Sequence, residues 1–204
     1  MTWSRIIQLP NCVHRAGTVP ASGALALVAV LIDDSSEIRD VLAAVEQWRM
    51  AVPCADWIGL KLPPASNQPR LYWLACILRD ELTRRRMRPA QLVILGRGRS
   101  GRLALDRVLD GSLRCAGTVL LDIPLGAPDA EIGGTFAAIR LVHHASDGSG
   151  PGGAALIETI HRKGIDLRSI TLPALAHDRE QTLTRAAGTF LVELVARASR
   201  REMS

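Results

Sequence analysis

Apolar and polar positions follow two rhythms along this chain. Short, almost unbroken apolar runs alternate with stretches in which apolar residues recur every three or four positions. The first rhythm predicts strands buried on both faces, the second helices with one apolar side. Residues 24–32 (ALALVAVLI) predict the first core strand. Residues 36–50 predict a helix, capped by Ser35 or Ser36, with Ile38, Val41, Leu42, Val45 and Trp48 along one side. Strands at 57–62, 91–95, 118–123, 137–143 and 166–172 follow. The helices between and after them are expected at 70–87, 100–109, 152–163 and 179–198. Pro63-Pro64 closes one strand, Pro89 stops one helix and Gly164 caps another. Residues 4–9 are expected to add an antiparallel edge strand.

Strand–helix alternation of this kind predicts an α/β fold, a mainly parallel sheet covered by helices on both faces. The length, 204 residues, suits one domain over 1–204 with its core at about 24–198. In such sheets ligands bind beyond the carboxyl ends of the strands. Asp33-Asp34, Pro63-Pro64, 96–100, Pro124, Asp147 and His177 are therefore the positions of interest.

Composition changes this picture little. Apolar residues make up 48% and charged residues 22%, which excludes a disordered chain. No apolar stretch is long enough to span a membrane, and residues 1–17 lack the apolar core of a secretory signal. Cys12, Cys54, Cys76 and Cys115 lie far apart, without metal-ligand spacing. They are expected as free thiols in a reducing cytoplasm, and no metal is expected. The net charge is +5, and Lys61 and Lys163 are the only lysines. The densest basic cluster, Arg84, Arg85, Arg86 and Arg88, ends a predicted helix, where cations complement the dipole and face solvent. Tyr72 and Trp73 lie a helix earlier, so there is little aromatic interleaving and no nucleic-acid partner is expected. Trp48, Trp57 and Trp73 are assigned to packing. His143 and His144 close a strand, one expected inside the core and the other away from it.

The chemistry concentrates at 91–105, QLVILGRGRSGRLAL, an apolar strand running into a glycine turn and a helix. One reading is a dinucleotide site. Gly96, Gly98 and Gly101 satisfy G-x-G-x-x-G, and Asp122 ends the next strand where a ribose-binding acid would lie. However, that fingerprint normally follows the first strand of its unit, and two strand–helix units precede it here.

The other reading is a nucleophile elbow, a sharp turn with small residues two positions to either side of a serine. An acid and a histidine follow in the right order: Asp147 after the fifth strand, in HHASDGSGP, and His177 after the sixth, in PALAHD. On these motifs the chain resembles the α/β-hydrolases, and most of all the small phospholipase/carboxylesterase, or acyl-protein thioesterase-like, family. The resemblance covers about residues 24–198. It implies an α/β-hydrolase-type three-layer sandwich without a lid domain, no cofactor, and a carboxylic ester or thioester as substrate class. In an active member Asp147 would orient His177, which would take the nucleophile's proton.

The register of the elbow stays open. Aligning Ala104-Leu105 with the family's helix puts the nucleophile position on Gly98, which has no side chain to attack a carbonyl. A shift of two puts it on Ser100, with Arg102 where a small residue belongs. The family's His-Gly loop after the first core strand is replaced by Asp33-Asp34-Ser35-Ser36, and carboxylates would repel an oxyanion. The expected function is a catalytically degenerate hydrolase-like protein that binds a small acyl-type ligand or a protein partner. The alternatives are an active esterase using Ser100, His177 and Asp147, and a dinucleotide-binding module. Arg97 and Arg99, with Arg102 beside them, are candidates for an anion site at the helix start.

Overall fold

A computed structural model describes residues 15–17, 23–32, 38–50, 52–62, 70–126, 131–145, 151–173 and 178–200. The strands are β1 (Arg15–Gly17), β2 (Ala26–Ile32), β3 (Ala55–Lys61), β4 (Leu92–Arg97), β5 (Gly117–Leu121), β6 (Ala138–His144) and β7 (Leu167–Leu172). The helices are α1 (Ile38–Arg49), α2 (Arg70–Arg85), α3 (Gly98–Leu109), α4 (Pro151–Arg162) and α5 (Arg179–Arg200). The sheet order is β1-β3-β2-β4-β5-β6-β7, parallel throughout except for β1. The expected three-layer α/β arrangement with a mainly parallel sheet is borne out.

Each apolar run feeds both faces of the sheet. Leu27, Ala29 and Leu31 of β2 pack with α2, α3 and α4, whereas Ala26, Val28 and Val30 pack with α1 and α5. That is why the runs show no polar alternation. Trp57 is fully buried on the α1/α5 side, and its Nε1 donates to the Val52 carbonyl at 3.2 Å. Burying a side chain of this kind is worth on the order of 2–3 kcal/mol.

The differences from expectation have local causes. The antiparallel edge strand is Arg15–Gly17, paired with Leu60, Gly59 and Ile58; residues 4–9 lie outside the described residues. β3 starts at Ala55 rather than Trp57, because its parallel pairing begins at Ala26↔Ala55. β4 runs two residues past the expected Leu95, because Gly96 and Arg97 pair with Leu120 and Leu121 of β5. Helix α3 accordingly starts at Gly98 and not at Ser100.

The arginine cluster is not a uniformly solvated face. The Arg85 side chain is 1% exposed and pairs with Glu81 and with Asp56, 3.4 Å away, both themselves buried. Glu81 also takes Arg84, which is half-exposed. His143 and His144 do lie on opposite faces, but both are buried. With helices on each side, strand alternation chooses between two interiors rather than between core and water. Cys54 and Cys76 are free and exposed; Cys115 is free and buried, and burial pushes its thiol up to about 12. Cys12 and the Trp73 side chain lie outside the described residues.

Candidate functional site

The chain runs from β2 to β3 on one side of the sheet and then crosses to β4 on the other side of β2. The carboxyl ends of β2 and β4 therefore flank the topological switch point, where open α/β sheets bind ligands. Residues 33–37, which leave β2, lie outside the described residues, and so do Asp33-Asp34. The turn that leaves β4 is described in full.

Arg97 ends β4 in extended geometry, φ −124° and ψ 150°, and caps α3. Gly98 follows at φ +54°, in the left-handed region that side chains other than glycine's rarely occupy. It is the apex of a sharp strand-to-helix turn. The turn closes tightly beneath it. A Cβ on Gly96 would stand 2.6 Å from the Gly101 Cα, and one on Gly101 would stand 2.7 Å from Ile123 Cγ2 and 2.8 Å from the Gly96 oxygen. Strand and helix cross here at a distance only two glycines allow. Counting from Gly98, the residues two positions away are Gly96 and Ser100, both small and both buried.

Ser100 sits inside the first turn of α3 and is 2% exposed. Its Oγ lies 2.7 Å from the Arg97 carbonyl and 3.0 Å from the Leu31 carbonyl of β2, so main-chain oxygens compete for its single proton. Two residues beyond Ser100 stands Arg102, with Nε 3.0 Å from each oxygen of Asp106 and Nη1 donating to the Pro124 and Gly126 carbonyls.

Beside the apex, charged and polar side chains from four elements meet. Arg97 Nη1 donates to both carboxylate oxygens of Glu180 in α5, at 2.8 and 2.9 Å. Its Nη2 lies 3.7 Å from Asp122 Oδ2. Asp122 follows β5 at φ +44°, a conformation acids tolerate better than most residues. Its Oδ1 accepts from the His144 backbone N–H at 3.2 Å and from His144 Nδ1 at 2.9 Å. The carboxylate thus takes the place of the next carbonyl in the β5–β6 ladder and fixes the imidazole at the same time. A carboxylate can only accept from Nδ1, so the proton on Nδ1 is held by Asp122. His144 is fully buried, and its Nε2 has no partner among the described residues. On the opposite face, His143 Nε2 lies 3.0 Å from Thr171 Oγ1.

Asp147 and His177 follow β6 and β7 in sequence and lie outside the described residues. Of the anion candidates, Arg97 is committed to two carboxylates, and Arg99 is exposed at the helix start. The Asp122 carboxylate, the ribose ligand of the dinucleotide reading, is already shared between His144 and Arg97. No cluster of three or more metal-ligating side chains occurs among the described residues, and no described helix is long and apolar enough to cross a membrane.

The Asp122–His144 pair is the feature that the sequence reading missed. A signal for it was present, because two successive apolar runs, TVLL and AIRLV, are followed by Asp122 and by His143-His144. Nothing in the sequence alone said that the two strands would be neighbours.

No family model matches the sequence, and no curated protein does. Solved structures do match. Esterase PE8 is 19% identical, with a TM-score of 0.69 over 92% of this chain and 100% of that one. MGS-M1, an alpha/beta hydrolase enzyme from a deep-sea metagenome library, is 13% identical, with a TM-score of 0.65 over 96% and 97%. The Bacillus cereus carboxylesterase is 9% identical, with a TM-score of 0.71 over 89% and 94%. The fold is that of the α/β-hydrolases. At these identities the likeness extends to the fold alone.

Proposed function

We propose that this chain is a hydrolase-like protein of the carboxylesterase/thioesterase group without a serine nucleophile at its elbow, acting by holding a small acyl-type ligand or a protein partner. One observation carries the reading: the apex of the elbow, the residue at positive φ where β4 passes into α3, is Gly98. In this fold the nucleophile occupies that strained apex so that its side chain stands clear at the top of the sheet. A glycine there offers nothing to form an acyl-enzyme.

The position of Ser100 supports the same reading. Its hydroxyl is buried under the turn, within hydrogen-bond distance of two main-chain carbonyls, whereas a nucleophile must be exposed to its substrate. In this account Asp147 and His177 are inherited acid and histidine positions without a nucleophile to serve. The exposed thiols of Cys54 and Cys76 suit a reducing compartment such as the cytoplasm.

The test is turnover of short acyl esters and thioesters, from mildly acid to mildly alkaline pH. The expected result is a rate no faster than the uncatalysed one, unchanged by Ser100→Ala. Hydrolysis that Ser100→Ala abolishes would overturn the proposal and make Ser100 the nucleophile.

A further inference from the structure

Asp122 and His144 form a dyad that no hydrolytic step above uses. Its geometry is that of an orienting pair: the carboxylate binds the Nδ1 proton at 2.9 Å and also ties the His144 backbone N–H at 3.2 Å. The ring is held from two points, and in its neutral form the proton sits on Nδ1 and the lone pair on Nε2. Its Nε2, on the opposite edge of the imidazole from Asp122, is a buried acceptor with no partner among the described residues. A buried polar atom left without a hydrogen bond is costly, and such groups are normally met by water or by a ligand.

The place of the dyad points to a ligand. His144 ends β6, Asp122 follows β5, and Gly98 follows β4, so the three stand at the carboxyl ends of adjacent strands. From β4 to β6 is two strand spacings, roughly 10 Å, the span of a small molecule. We propose that His144 Nε2 is the anchoring acceptor of a ligand site beside the elbow, and that its ligand is a neutral molecule bearing a hydroxyl group. This rests on the reading of the chain as a binding protein.

Charge selects the class. Glu180 and Asp122 carry two negative charges against the one positive charge of Arg97, so with a neutral imidazole the cluster is net negative. An anionic ligand is repelled there. A ligand without an O–H leaves Nε2 unsatisfied, whereas a hydroxyl donates to it directly. Arg97 faces the two carboxylates, donating to Glu180 through Nη1 and lying 3.7 Å from Asp122 through Nη2.

The experiment uses the full chain labelled with 15N in its histidines, and a matched pair of probes, phenol and anisole. They differ in replacing the O–H by O–CH3. Before addition, the His144 ring should show the tautomer protonated on Nδ1. Phenol should then shift the Nε2 resonance saturably, with an affinity about tenfold above that of anisole, the size of one hydrogen-bond difference. The preference should vanish in His144→Gln. Because that change removes a buried ring, Asp122→Asn is the second variant. It keeps an oxygen for both His144 N–H groups, releases the tautomer, and should also weaken the preference while melting as a folded protein. An Nε2-protonated ring in the wild type, or equal shifts from phenol and anisole, would overturn the proposal. Ester turnover on the same sample separates the two failures. Serine-dependent turnover sinks the binding-protein reading, and loss of the phenol preference without turnover sinks the hydroxyl site alone.

Discussion

At the scale of single residues, the elbow is decided by glycines in two different ways. Gly96 and Gly101 are required by distance, because each would drive a Cβ into the other's backbone. Gly98 is required by conformation, at φ +54°. The two requirements predict different costs. Gly96→Ala has no flexible side chain to push aside and is expected to lose about 3 kcal/mol, the upper range for overpacking. Gly98→Ala meets the left-handed penalty of about 1–2 kcal/mol. Urea unfolding of the two variants measures the difference, and a Gly96→Ala variant as stable as the parent would mean that strand and helix do not cross this closely. The triplet was visible in the sequence. Which of its members formed the apex was not, because that depended on how far β4 extends, and the pairing of Gly96 and Arg97 with β5 set that.

Single elements show where pattern reading succeeds and where it stops. The apolar runs located six parallel strands, because a strand covered on both faces must be apolar throughout. The same covering defeats the rule that polar residues at helix and strand ends face water. Arg85 lies in the last turn of α2 within an arginine run, yet its side chain is 1% exposed and holds Glu81 and Asp56. The four-residue spacing of Glu81 and Arg85 is legible in the sequence, but the burial and the contact with Asp56 are not, because Asp56 comes from β3. Arg85→Met should therefore behave unlike a surface change. Removing one member of a buried charged group costs about 3–5 kcal/mol, whereas Arg88→Met, on an exposed residue of the same run, should stay within about 0.5 kcal/mol. Equal and small losses in thermal melts would restore the solvated-face reading. His144 makes the same point at the end of β6: its partner Asp122 became a neighbour only when β5 and β6 paired.

Across the whole molecule, the far end of the sheet is tied to the last helix by a second charged network. Arg140 of β6 is fully buried. It donates to Glu193 of α5 at 2.6 and 3.2 Å and to Asp166 at 2.9 Å, and its guanidinium lies 5.9 Å from the Phe190 ring centroid. Arg197 of α5 also holds Asp166. Burial alone would raise the Asp166 carboxyl, but hydrogen bonds from Arg140 and Arg197 outweigh it and hold it below the usual range. The hydrogen bond from Arg140 holds Glu193 low in the same way. A carboxylate depressed in the folded state contributes stability that is complete above its unfolded value, near 4, and is lost as pH falls through the folded value. The melting temperature should accordingly drop as the pH is lowered below about 4. In Arg140→Met, whose side chain keeps the volume but not the charge, that drop should be shallower. An unchanged acid limb in the variant would show that the network does not link α5 to the sheet.

The central claim concerns the elbow, and labelling with a fluorophosphonate followed by peptide mapping tests it most directly. Such a probe bonds to a serine only when a base has activated it. The account predicts no adduct on this chain under conditions that label an active esterase in the same tube. A stable adduct on Ser100 would contradict it, because the hydroxyl now directed at the Leu31 and Arg97 carbonyls would then be the nucleophile.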